Sequence, residues 1–108
     1  MPKKNKKFQL NSRQKSFLRG LGHHLGNKAM LGREGLASNA IKSLIEVLEA
    51  NELVKVKLQE NFPMDRKEAG PALAEATGSS LVQILGRTIL LYRGNPDLPV
   101  DRRIKLPD

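Results

Sequence analysis

Gly32-Arg33-Glu34-Gly35 is the stretch of this 108-residue sequence whose residue types and spacing best suit the capture of an anion. Two glycines three positions apart let the backbone approach a phosphate, and free N–H groups at a helix start just after them attract negative charge. Arg33 adds a cationic donor. Glu34 carries the wrong sign for phosphate and must point away from a ligand or pair with a lysine. Most G-x-x-G stretches are ordinary tight turns, so the weight of this one depends on its surroundings.

The surroundings are basic. Nineteen Lys and Arg against 11 Asp and Glu give a net charge of +8. Residues 1–33 contain nine basic residues (Lys3, Lys4, Lys6, Lys7, Arg13, Lys15, Arg19, Lys28 and Arg33) and no acidic one. Positive charge concentrated in this way fits a polyanion, most often nucleic acid; the plainer alternative is a solubilising tail.

Other chemistries find less support. His23 and His24 diverge by about 100° on a helix and cannot chelate one metal together; the chain has no further histidine and no cysteine to complete a site. His23 can still contribute a polar contact to a basic face. No catalytic triad, paired-carboxylate site or phosphate-binding nucleotide motif stands out, so no enzyme, cofactor or small-molecule substrate is expected. The four aromatics, Phe8, Phe17, Phe62 and Tyr92, do not supply a stacking platform of neighbouring exposed rings. Phe17 is assigned to the core. No apolar run approaches the roughly 18 residues of a membrane span, and the lysine-rich start is followed by no apolar stretch of a secretory signal. These features fit a cytoplasmic monomer.

The elements that position the loop follow from periodicity. Residues 1–9 are lysine-rich without hydrophobic pattern and are expected to be a disordered basic arm. A helix capped by Ser12 should carry Phe17, Leu18, Leu21 and Leu25 on one side and Arg13, Lys15 and Arg19 on the other, ending at Gly26-Asn27. Gly20 and Gly22 weaken it and invite close approach of another segment. Residues 28–31 form a short strand. A helix from Ser38 to Ala50, capped by Ser38, carries Ile41, Leu44, Ile45 and Leu48. From Val54 to Leu58 the sequence alternates as a half-buried strand. A third helix spans Asp65 to Thr77 around Ala69, Leu73 and Ala76, kinked or started late by Pro71 and closed by Gly78. Residues 80–85 and 88–92 form a hairpin across Gly86-Arg87. Residues 94–108 should be an extended tail, with a short edge strand near residues 103–105. The order α-β-α-β-α-β-β predicts a single-domain α/β two-layer sandwich with a mixed four-stranded sheet.

Taken in order, Asn11-Ser12-Arg13-Gln14-Lys15, Leu18-Arg19-Gly20-Leu21-Gly22-His23-His24-Leu25 and Leu31-Gly32-Arg33-Glu34-Gly35-Leu36 resemble the start of a CRM domain, named for chloroplast RNA splicing and ribosome maturation. Leu53-Val54-Lys55-Val56-Lys57, Thr77-Gly78 and Gly86-Arg87-Thr88 with Leu91-Tyr92-Arg93 resemble its later landmarks, so the resemblance covers about residues 10–93. The chain is most similar to the stand-alone bacterial YhbY-type members. The resemblance implies a fold like the C-terminal domain of translation initiation factor three and RNA binding without catalysis. It implies ribosomal RNA or precursors of the large ribosomal subunit as partners, with a role in ribosome assembly. It places Gly32, Arg33, Glu34 and Gly35 in the family's glycine loop, Arg13, Lys15 and Arg19 on its basic first helix, and His23 at its histidine; Lys28 joins them as a further RNA-binding candidate. Asn27, Glu34 and Ala37 depart from the Pro, the Lys or Asn, and the Thr or Ser that members often carry there. The competing functional class is a protein-interaction module whose basic arm docks an acidic partner.

Overall fold

Alternation of apolar and polar residues over residues 53–58 decides the architecture, because it gives one strand two differently buried faces. The computed structural model describes residues 9–108; the expected basic arm lies almost wholly outside the described residues. Its elements are α1 (Ser12–Gly22), β1 (Ala29–Leu31), α2 (Ser38–Asn51), β2 (Leu53–Leu58), α3 (Arg66–Thr77), β3 (Ser80–Leu85), β4 (Thr88–Tyr92) and a single 3-10 turn (Val100–Arg102). The strands form one four-stranded sheet in the order β1-β2-β4-β3. β1 runs parallel to β2, and β4 pairs antiparallel with both β2 and β3. The α/β order and mixed sheet are those expected.

On the first face, Val54, Val56, Leu58, Ile89 and Leu91 pack under Leu44 and Leu48 of α2 and Ala69 and Leu73 of α3. On the second, Leu53, Leu90, Val82 and Tyr92 pack with Leu18 of α1 and with Ile104 and Leu106 of the C-terminal segment. The two expected layers are the sheet and α2/α3; α1 and the tail add a partial third layer. Leu53 is buried with the lysine-bearing side of β2 because that third layer covers its end of the strand.

Local chemistry moves several boundaries. Asn11, not Ser12, caps α1: its side chain accepts the Gln14 N–H at 2.8 Å while the Gln14 side chain accepts the Asn11 N–H at 3.1 Å, a reciprocal capping box. α1 ends at Gly22 rather than Gly26-Asn27. A β-carbon at Gly22 would stand 2.8 Å from Leu90 Cδ2, so the close approach expected of this glycine is to a core side chain; the equivalent space at Gly20 is open. Phe17 is exposed, because Leu18 takes the inward position. Ala37, not Ser38, stands at the N-cap of α2 and makes no side-chain capping bond. Asp65 caps α3 by accepting the Lys67 N–H at 3.0 Å. α3 runs through Pro71 without a break or late start; Lys67 and Pro71 both lie on its exposed side, where solvent serves the carbonyl that proline leaves without a donor. Ala76 is exposed and Thr77 buried, its hydroxyl donating to the Leu73 carbonyl at 2.7 Å.

The tail is held by a residue the sequence did not single out. Glu52 follows α2 with φ +65° and is 2% exposed. Its carboxylate accepts the N–H groups of Asn95 and Ile104, each at 2.6 Å, and its carbonyl accepts that of Arg93 at 2.8 Å. These bonds replace the edge strand expected near residues 103–105, where no strand forms. A positive φ is unfavourable for glutamate and persists here because three backbone donors fix it.

Candidate nucleic-acid interface

The glycine loop is a closed turn. The Gly35 N–H donates to the Gly32 carbonyl at 3.0 Å, and Gly35 adopts φ +60°. Both glycines are buried. A β-carbon on Gly32 would collide with Gln59 Oε1, and one on Gly35 would lie 2.8 Å from Pro63 Cγ. The glycines therefore let Gln59 and Pro63 pack against the turn. Arg33 and Glu34 stand exposed at the tip. Glu34 pairs with no lysine among the described residues; it lines a groove with Lys28 and Asn39 between β1 and α2. Behind the loop, the Ala40 N–H is taken by Asn39 Oδ1 at 2.9 Å.

The other candidates divide along α1. The helix crosses the second face from the end of the sheet marked by Leu53, Ser80 and Tyr92 toward Leu90. Lys15, near its start, lines a hollow with Leu10, Glu75 and Ser80 at the sheet end away from the loop. Arg13 is exposed in the same first turn and Arg19 half-buried in the last. His23 caps α1 and borders a small hollow with Lys55, Gln83 and Thr88. Lys28 is exposed just before β1, its N–H donating to the Lys55 carbonyl at 3.0 Å. The structure thus groups His23, Lys28 and the 32–35 loop at one end of the sheet, with Arg13 and Lys15 at the other.

Two further cations belong to the loop end. Lys57 is exposed on β2, opposite Met30 of β1 and Thr88 of β4. Arg87, at the tip of the β3–β4 hairpin, accepts the Leu58 N–H at its carbonyl at 2.8 Å, so the hairpin tip sits beside the end of β2. Alternation along residues 53–58 already placed Lys57 away from the core; only the hairpin register reveals Arg87. Lys55 is different: its ammonium donates to the Leu25 carbonyl at 3.0 Å and ties the segment after α1 to the sheet.

Charge at this end is little neutralised. Among the described residues the ion pairs are Arg87–Glu60 and Arg93–Glu49, both at 3.9 Å, and the first is largely exposed and weak. Arg13, Lys15, Arg19, Lys28, Arg33 and Lys57 enter neither. Among the described residues, no group of three or more His, Asp or Glu side chains is placed to hold a metal ion, and no helix is long and apolar enough to cross a membrane.

The chain is 39% identical to the Bacillus subtilis protein named Probable RNA-binding protein YqeI over 98 residues, covering 91% of this chain and 99% of that one. It is 33% identical to a Haemophilus influenzae protein named RNA-binding protein, covering 91% and 95% of the two chains. The solution structure of the Staphylococcus aureus protein SAV1595 superposes with a TM-score of 0.75 at 37% identity, over 92% of this chain and all of that one. The family model described as the CRS1 / YhbY (CRM) domain matches residues 10–93, and the chain belongs to that family.

Proposed function

We propose that this chain is a non-catalytic RNA-binding protein, cytoplasmic and monomeric, that associates with ribosomal RNA or precursors of the large ribosomal subunit and assists their assembly. The observation that carries the RNA part is the run of cations from Arg13 to Arg33, which contains no acidic residue and enters no ion pair among the described residues. Unneutralised charge of one sign is a footprint for a polyanion, and phosphate contacts supply affinity largely independent of sequence. The names of the relatives support RNA as that polyanion, and the family resemblance supports the ribosomal partner.

In this reading Arg33 at the loop tip, with Lys28 and His23, grips phosphates at one end of the sheet. Arg19, Lys15 and Arg13 carry the contact along α1. Gly32, Glu34 and Gly35 complete the loop that meets the RNA with Arg33.

The test is RNA affinity measured across a salt series. Its log–log slope should be about −0.7 to −0.9 per phosphate contacted. Arg33→Glu should weaken binding by about five-fold or more with an unchanged melting temperature. In cell extracts the protein should co-sediment with large-subunit precursors and leave them after ribonuclease treatment. Salt-independent affinity would overturn the RNA reading, and ribonuclease-resistant association would favour an acidic protein partner.

A further inference from the structure

The strand registers align four side chains in one row across the second face of the sheet. Met30 is opposite Lys57, Lys57 is opposite Thr88, and Thr88 is opposite Leu85. α1 stops at Gly22 over Leu90; Gly22 and the capping His23 border a small hollow with Leu85 and Thr88, and Leu85 still stays largely exposed. Met30 is 58% exposed and Leu85 62% exposed, two of the large apolar side chains that the fold leaves in solvent. Three strand spacings separate them, about 14 Å. The row lies next to the ends of β1 and β2, beside the glycine loop and the hairpin tip.

We propose that this row is a docking platform for unpaired nucleobases of the bound RNA. The inference rests on the RNA-binding reading and adds to it the class of RNA preferred. Apolar side chains cover the faces of unstacked bases, and a thioether makes favourable contacts with aromatic rings. Lys57 and Thr88 lie between the two apolar ends and offer an ammonium for phosphate and a hydroxyl for a base edge. A base has both faces and edges free only where RNA is unpaired, so the platform selects loops and bulges over duplex. The charge around the row selects RNA over an apolar protein surface. Lys57 interrupts the apolar patch at its centre, and Arg87, Arg33 and Lys28 lie at the adjoining ends of the strands. Two carboxylates lie nearby: Glu60 pairs with Arg87, and Glu34 lines a groove with Lys28 and Met30, which leaves Lys57 and Arg33 as the unpaired cations beside the row among the described residues.

Two RNAs of equal length and charge test the proposal: a stem closed by an unpaired loop, and a fully paired duplex. The wild-type chain should bind the looped RNA at least about five-fold more tightly. The double variant Met30→Ala/Leu85→Ala should lose that preference while keeping its duplex affinity. The Met30 methyl resonance should move upfield with the looped RNA alone, as a ring stacked upon it requires. Equal binding of both RNAs by the wild type, or a double variant that keeps the preference, would overturn the platform while leaving RNA binding intact. Failure to bind either RNA would overturn the RNA reading itself. Lys57→Gln serves as a second variant, since it keeps the stem and should weaken both RNAs without changing the fold.

Discussion

The carboxylate of Glu52 accepts the backbone N–H of Ile104 at 2.6 Å, joining the end of α2 to a residue 52 positions later. The other carboxylate oxygen accepts the Asn95 N–H, so one buried side chain closes residues 95–104 into a loop and seats Ile104 at the second face. Glu52→Ala leaves two partly buried donors without their acceptor and should lower stability by about 2–4 kcal/mol. Amide exchange should accelerate first over residues 95–106. A fall in stability with no local loosening there would assign the loss to α2 instead.

Tyr92 packs beside this network. Burial of its ring, and then the charge of Glu52, raise its pKa above the ordinary 10.0. The folded state therefore holds the phenol proton more tightly than the unfolded chain. The resulting stability is complete below about pH 10 and is lost as pH rises through the folded value. Tyr92→Phe should flatten the alkaline limb of the stability–pH profile, measured by denaturant midpoints from pH 8 to 11.

Ala37 occupies the N-cap of α2 with extended ψ of 149° and no side chain able to accept a bond. Ala37→Ser or Ala37→Asp should raise stability by about 0.5–2 kcal/mol. Chemical denaturation checks this directly, and an unchanged midpoint would mean that Asn39 already satisfies the helix start.

Gly20 and Gly22 should respond differently to the same substitution. Gly20→Ala fills open space and should stabilise by about 0.5–1 kcal/mol through helix propensity. Gly22→Ala pushes on Leu90 in the core and should lose that gain. Equal midpoints for the two variants would contradict the packing of α1 on β4.

In the glycine loop, Gly35→Ala must hold φ +60° with its methyl against Pro63, and should cost about 1 kcal/mol or more. Arg33→Ala should leave the melting temperature unchanged while weakening RNA. Thermal melts and binding isotherms on the two variants separate the frame of the loop from its contact.

Periodicity made most of the fold legible. Leu44 and Leu48 at helical spacing, the alternation over residues 54–58 and the Gly86-Arg87 turn each have one favourable solution, and the elements formed where those patterns lie. The misplaced features turn on a choice between adjacent residues or on a distant partner. Ser12 looked like a cap because Asn11 next to it completes a capping box only with Gln14. Phe17 looked buried because helical spacing does not say which of two adjacent apolar residues faces the sheet. An edge strand near residues 103–105 is the wrong expectation because the acceptor that holds this segment, Glu52, resembles a solvated helix charge until its surroundings are known.

The same limit applied to the interface. Arg33 was conspicuous because its motif is local. Lys57, Thr88, Met30 and Leu85 come from three separated stretches and become neighbours only through the registers of three strand pairs.

The strand order also governs how the molecule is made. β4 is the last strand in the chain, yet it lies between β2 and β3. During synthesis β2 and β3 therefore have no shared neighbour until residues 88–92 emerge, and the Leu53 end stays uncovered until the tail follows. The basic first helix leaves the ribosome early but acquires its seat on Leu90 only near the end. Folding of this chain is thus gated by its C-terminal fifth, and truncations within that region should yield aggregation-prone fragments rather than smaller working domains.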